Sequence, residues 1–298
     1  MTKNSIAISG STGWLGCEAV AKVLDLSLSE HLDLYSSNGR DLNFKRKILP
    51  TKVFLESTPP LVIEGFLHLA FLTREKVASV GFSDYVSANI SLISKACNFI
   101  ESSKPNWVVL VSSGAVLNRT SGELENDVLK NPYGFCKRIE ESLISQSAHK
   151  VGANVVIGRL WGATGEHMPQ NSSYALSDFI ESAHSQKKIL INSGGRVYRR
   201  YVDAGEFIEV LIKAAMLGEN IVINSGGPKI EIGDLAMLVS SHFSDVEIER
   251  SRSQDRTDDY YPRDENFEEL ALRVGANLSD IETQVSRTVK GHLMSIID

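Results

Sequence analysis

The sequence lacks most of the features that would fix a function class at once. It has three cysteines in 298 residues, Cys17, Cys97 and Cys136. They are odd in number, widely spaced and set in helical patterns, which argues against a disulfide frame or a zinc site and leaves reduced core thiols as the expectation. No metal is expected. Charge of a dominant sign is missing as well: 37 acids against 31 bases give a net charge of -6, with no general attraction to nucleic acid or an anionic membrane, although a local basic pocket for a phosphorylated small molecule stays open. No run approaches the roughly 18 apolar residues of a membrane span, and Met1-Thr2-Lys3-Asn4 leads into a strand pattern with no apolar leader core. A cytoplasmic location is expected, and neither nucleic acid nor membrane is expected as a partner. Internal repeats and low-complexity tracts are also absent. What is left, 42% hydrophobic and 23% charged residues, is an ordinary globular chain able to bury a full-sized core.

The first half alternates two periods. Ser5 to Ser9 reads as an apolar strand, and Leu15, Ala19, Val20, Val23 and Leu24 carry the spacing of a helix packed on a sheet. Further strands are expected at His31 to Tyr35, Gly65 to Phe71, Asn106 to Ser112 and Ala153 to Leu160, with helices over Phe82 to Glu101 and Tyr133 to Val151. That rhythm makes an α/β protein with a doubly wound parallel sheet of Rossmann type. After about Gly165 the glycine punctuation thickens and shorter elements follow, with helices expected at Ala175 to Gln186, Gly205 to Leu217 and Gly233 to His242. The expected division is a nucleotide-binding domain over 1–165 and a smaller C-terminal substrate lobe over 166–298, some of whose segments return to the first domain.

Two constellations carry chemistry. Gly10, Gly13 and Gly16 stand three apart at the turn from the first strand to the first helix, where a side chain would keep backbone from a pyrophosphate or the helix from the sheet. The run Gly10-Ser11-Thr12-Gly13-Trp14-Leu15-Gly16 is therefore the candidate phosphate cradle, its amides facing the anion. Tyr133 and Lys137 stand four apart where a helix begins, with Pro132 suited to its first turn. Both side chains then lie on one face, and a nearby ammonium favours the phenolate form of the phenol. Ser112 and Ser113 end an apolar strand some twenty residues earlier, at the carboxyl edge where open parallel sheets place ligands.

With these residues in view the chain resembles the extended short-chain dehydrogenase/reductases, in the branch of nucleotide-sugar epimerases, dehydratases and 4-keto reductases. Nearly the whole chain takes part: His68-Leu69-Ala70, Asn89, Val111 to Val116, Arg159-Leu160, Arg199 to Asp203, Ile223 to Gly227 and Asp258 to Pro262 match in order. The resemblance implies that Tyr133 is the acid/base on a sugar oxygen, that Lys137 binds the nicotinamide ribose, that Ser113 hydrogen-bonds the same substrate oxygen and that Asn89 helps shape the site. Leu69 and Ala70 would line the cofactor, and Arg199 with Arg252 or Arg256 would meet the nucleotide diphosphate, for which guanidinium forks are suited. It also implies a homodimer through the helices Phe82 to Glu101 and Tyr133 to Val151.

Some departures refine the expectation. Ser36 occupies the acidic position at the end of the second strand, followed by Ser37 and Arg40, which favours NADP(H) over NAD(H). The segment from there to His68 leaves little room for a full extra strand and helix, as in the 4-keto-sugar reductase branch. Leu117-Asn118, Trp161 and Gly205-Glu206 replace the usual residues of three further motifs. Gly114-Ala115 stand where dehydratases carry paired acids, which disfavours removal of water. The leading expectation is reduction of a keto group on a nucleotide-linked deoxysugar. A 4-epimerase with tightly bound NAD is the alternative, and a catalytically silent cofactor-sensing module is the reading from a different class.

Overall fold

The computed structural model describes residues 5–44, 47–60, 62–119, 121–170, 174–251 and 259–297. In chain order the first elements are β1 (Ser5–Ser9), α1 (Trp14–Asp25), β2 (His31–Ser36), β3 (Leu42–Phe44), β4 (Lys47–Leu49), β5 (Thr51–Val53), β6 (Gly65–His68), α2 (Lys76–Val80), α3 (Phe82–Ser103), β7 (Trp107–Ser113), α4 (Pro132–Val151) and β8 (Asn154–Leu160). Next come β9 (Ala163–Thr164), α5 (Ala175–Gln186), β10 (Lys188–Ile191), β11 (Tyr198–Arg200), β12 (Val202–Asp203), α6 (Ala204–Met216) and β13 (Ile221–Asn224). The chain finishes with β14 (Lys229–Glu231), α7 (Ile232–Ser240), β15 (Glu247–Arg250), α8 (Asn266–Arg273) and α9 (Ile281–Ile297).

Two compact units emerge, Met1–Leu160 with Ile208–Asn224, and Trp161–Phe207 with Ser225–Asp298. The first is built on a seven-stranded sheet of order β13-β8-β7-β6-β1-β2-β5, parallel at every pairing. This is the Rossmann-type α/β architecture. Its strands read as continuous apolar runs because helices cover both faces: all five residues of β1 and six of the seven of β7 are buried. Tyr35, Phe54, Phe66 and Phe99 anchor one side of that core, with the Phe66 and Phe99 rings stacked 4.5 Å apart. Between β2 and β6 a three-residue strand, β5, extends the sheet and a small β3/β4 hairpin stands in place of a helix.

In the second unit, β9 pairs with β12, β11 with β14 and β10 with β15. Gly227 has a φ of +98°, and a Cβ there would sit 1.9 Å from the Tyr201 carbonyl, so this crossing of two segments requires glycine. Arg287 of α9 joins Asp203 and Glu206, at 2.5 and 3.2 Å. The three cysteines are free. Burial, with Glu18 and Glu140 adding to it, pushes the Cys17 and Cys136 thiols each up to about 11. Among the described residues no helix is long and apolar enough to cross a membrane.

Candidate active site

The turn after β1 is made by glycines with two different duties. Gly10 has a φ of +72°, and a Cβ there would come within 2.8 Å of the Leu69 and Ala70 backbone; one on Gly16 would lie 2.1 Å from the Gly10 carbonyl. These two close α1 and the loop after β6 onto the turn. Gly13 has no such duty, since its Cβ would meet only the Gly10 carbonyl at 3.4 Å, and the residue is exposed. It leaves the turn bare toward the exterior. No side chain among the described residues caps α1 at Gly13, and the first turn carries no acid. Helix starts leave backbone amides without intrahelical acceptors and carry positive potential, so this cradle fits the pyrophosphate of a dinucleotide. Within it, Ser11 is structural, its amide and hydroxyl both donating to the Tyr35 carbonyl at 3.0 Å. Thr12 is exposed, whereas Trp14 and Leu15 are half-buried.

At the end of β2, Ser36 is buried: its hydroxyl lies 2.9 Å from Thr51 Oγ1 and accepts from the Gly39 amide at 2.9 Å. It closes the following turn and leaves Ser37 and Arg40 exposed beyond it. Asp33 is held inside the strand by Ser5 Oγ and Lys52 Nζ.

The end of β7 is built the opposite way, from side chains. Ser113 Oγ accepts from the Ala115 amide at 3.2 Å and so starts the 3-10 turn Gly114–Val116. Asn131 caps α4, accepting from the Gly134 amide at 2.9 Å while donating to the Ala115 carbonyl at 3.1 Å and to Glu125 Oε2 at 3.2 Å. A Cβ on Gly134 would lie 2.0 Å from the Ala115 carbonyl. The first turn of α4 is thereby seated on the turn after Ser113, which brings the segments carrying Ser113 and Tyr133 together. Glu125 in turn accepts the Asn126 and Asp127 amides, each at 3.0 Å, and these bonds, the Asp127 amide foremost, hold its carboxyl below the usual range against the opposing effect of burial.

One helical turn on, Lys137 is buried. Its ammonium donates to the Val111 carbonyl at 3.0 Å and to Glu140 Oε2 at 2.8 Å, and it lies 3.9 Å from the centre of the Phe71 ring. The edge-to-face contact of Phe71 with Tyr133, 5.8 Å between centroids, makes this ring common to both members of the pair. Asn89 is fully buried and accepts from the Leu72 amide at 2.9 Å, fastening the loop that carries Leu69, Ala70 and Phe71. On the far flank of α4, Glu141 takes Ser112 Oγ at 2.6 Å and both prongs of Arg159, at 2.9 and 2.7 Å, locking the helix to the carboxyl ends of β7 and β8.

A glycine cradle at the end of β1 and a capped tyrosine/lysine helix after β7 coincide with a family match: the model of the NAD dependent epimerase/dehydratase family covers residues 6–226. The chain belongs to that family. No curated protein matches it in sequence. Among solved structures it is similar to a UDP-N-acetylglucosamine 4-epimerase from Methanobrevibacter ruminantium M1, in complex with UDP-N-acetylmuramic acid, with a TM-score of 0.79 and 19% identity over 99% of this chain and 100% of that one. It is similar also to MoeE5 in complex with UDP-glucose and NAD, at TM-score 0.75 and 15% identity over 98% and 100% of the two chains. A third is TunA, an NAD-dependent NDP-hexosamine 5,6-dehydratase of tunicamycin biosynthesis, at 0.75 and 15% over 97% and 98%. At such identities these likenesses show the fold; the family model shows the membership.

In the second unit of this epimerase/dehydratase chain, the two consecutive arginines differ. Arg200 is consumed by structure, donating to the Gly227 and Asp264 carbonyls and to Glu268, each at 2.6 to 2.8 Å. Arg199 bonds the Tyr198 carbonyl and lies 5.9 Å from the Tyr260 ring, which itself packs on Trp161 at 4.8 Å. Arg252 and Arg256 lie outside the described residues. The structure adds Asn131, Glu125, Phe71 and Glu140, to which the sequence assigns no role, and draws in the ring of His68, legible only as part of the His68-Leu69-Ala70 motif. The Asn-Pro-Tyr run at 131–133 was a legible cap signal. Glu140 is seven residues from Tyr133 and three from Lys137, a spacing that sets all three on one face of a helix.

Proposed function

We propose that this protein is a nicotinamide-dependent oxidoreductase of nucleotide-linked sugars that reduces a keto group on a deoxysugar. The observation that supports the reading is the seating of the first turn of α4 on Ala115, two residues after Ser113, which brings the segments carrying Ser113 and Tyr133 together, with Lys137 one helical turn on. When bound, the cofactor supplies hydride to the carbonyl carbon. Tyr133 delivers the matching proton to the oxygen, Ser113 donates a hydrogen bond to that oxygen as its charge grows, and Lys137 holds the nicotinamide ribose while favouring proton release from the phenol. The Gly10 to Gly16 turn holds the pyrophosphate. Ser37 and Arg40, exposed beyond a buried Ser36, support NADP(H) over NAD(H). Arg199 is assigned to the diphosphate of the substrate.

A 4-epimerase is the second reading, favoured by the fold likeness to a UDP-N-acetylglucosamine 4-epimerase; it would use the same residues without net consumption of cofactor. Gly114 and Ala115 after Ser113 leave no carboxyl group there for dehydration. We further assign a homodimer through α3 and α4, which light scattering of the purified protein checks.

Turnover of UDP- and dTDP-linked 4-keto sugars with NADPH, followed by nicotinamide absorbance, tests the function. One reduced cofactor consumed per product is expected, and Tyr133→Phe is expected to lower kcat by about 100-fold or more with cofactor binding intact. Undiminished turnover in Tyr133→Phe would overturn the reading, and conversion without absorbance change would transfer it to the epimerase.

A further inference from the structure

Lys137 does not stand alone behind Tyr133. It is ion-paired to Glu140, which is fully buried, and the other oxygen of that carboxylate faces the fully buried His68 ring across 3.3 Å, without the alignment of a hydrogen bond. His68 Nδ1 lies 2.7 Å from Ser9 Oγ, and Ser9 Oγ accepts from the Leu69 amide. The Ser9 hydroxyl has two acceptors in reach, Nδ1 and, at 3.5 Å, the Leu67 carbonyl. A chain of buried polar groups thus runs from the strand residue just before the glycine turn to the lysine of α4, crossing β1, β6 and α4.

A buried ion pair is weak evidence for stability, because apolar side chains of similar volume commonly do as well. The question is what the carboxylate does to its partner. Two of the ammonium's bonds, to Glu140 and to the Val111 carbonyl, fix its position and leave its third donor, and it lies 3.9 Å from the centre of Phe71, the ring shared with Tyr133. A carboxylate 2.8 Å away also offsets the cation's field at the phenol. We propose that Glu140 is a positioning residue for the Tyr133/Lys137 pair: it anchors the ammonium and, by offsetting its charge, keeps the Tyr133 phenol protonated to higher pH than an unpaired lysine would allow. The inference rests on the reading of Tyr133 as the proton donor, and it suits a reductase, whose donor must begin the reaction with its proton on.

The other titratable groups facing this cluster are Cys97 and Tyr85 on α3 and Cys136 on α4. Burial pushes all three up, and with them neutral at pH 7, Lys137, Glu140 and His68 are left to set the local field. Glu141 is turned to Arg159 and Ser112.

The test needs no turnover. Tyrosinate ultraviolet absorbance is titrated in the cofactor-free full-length protein and in Glu140→Gln, each with and without Tyr133→Phe, so that the differences isolate Tyr133. The midpoint in Glu140→Gln is expected to fall by about 0.5 pH unit or more. Glu140→Asp keeps the charge but draws it back from the ammonium, and is expected to shift the midpoint the same way by less; it also supplies the sign should Glu140→Gln fail to fold. A midpoint unchanged or raised in whichever variants fold overturns the role of Glu140. Such a result beside lost turnover in Tyr133→Phe would leave the proposed function standing, whereas retained turnover in Tyr133→Phe would remove the reading beneath both.

Discussion

The turns that follow β1 and β7 lie at the carboxyl ends of strands in one parallel sheet, yet they are built by opposite means. After β1 the chain strips itself of side chains: two glycines are demanded by backbone contacts at 2.8 and 2.1 Å, the third is bare toward the exterior, and no side chain among the described residues caps the helix. After β7 every turn is dressed. Ser113 caps the 3-10 turn, Asn131 caps α4, Glu125 holds Asn131, and Lys137, through the Val111 carbonyl, and Glu141 pin the helix from two sides. A ligand held by main-chain amides and a helix dipole is gripped by groups that do not titrate. A phenol that must exchange a proton needs neighbours that do.

That contrast breaks most visibly at the glycines. Gly16→Ala would drive a Cβ into the Gly10 carbonyl and the Ser11 backbone, neither of which is the end of a flexible side chain. A loss of about 3 kcal/mol or more is expected in chemical denaturation. Gly13→Ala has an unstrained φ of -79° and one ordinary contact, so its unfolding curve should match the parent's while nicotinamide-cofactor affinity, measured by titration calorimetry, falls about tenfold or more. Should Gly13→Ala lose stability and keep its affinity, the division of labour among the three glycines is wrong.

What could be read from the sequence follows the same divide. β1, α1, β7 and α4 were legible to within a residue or two because period and punctuation agree: an apolar run of strand length, then glycines or Asn-Pro, then an amphipathic repeat. The glycine cradle was legible because bareness is itself written in residue type. β3, β4 and β5 were not, since three-residue strands are too short to show alternation, and α8 and α9 carried no motif that drew attention. The polar network behind Lys137 escaped for a different reason. A glutamate three residues after a lysine is ordinarily a solvated pair on a helix surface, and only the packing of α4 on the sheet turns Glu140 inward onto His68. Burial of a charge is a tertiary fact with no local mark.

The smallest expected effects concern the cap, and they test whether the dressed turn is sensitive to pH as the bare one is not. Asn131→Ala removes one acceptor and two donated bonds at the start of α4 and is expected to cost about 1 kcal/mol in denaturant unfolding. Glu125 supplies the titrating part. Its carboxyl is held below its ordinary value in the folded chain, chiefly by the Asp127 amide, so its contribution is fully present above that ordinary value and is lost as pH falls through the lowered folded one. Thermal midpoints of the parent and Glu125→Gln, followed by circular dichroism, should therefore differ most at neutral pH, with the variant lower by about 2 °C. The gap should close in acid, where the parent's carboxyl takes up its proton. Other carboxylates, Asp127 among them, titrate in both proteins and largely cancel from the difference. A gap that stays constant with pH would mean that Glu125 holds Asn131 by shape and not by charge, and the contrast between the two turns would then be one of packing alone.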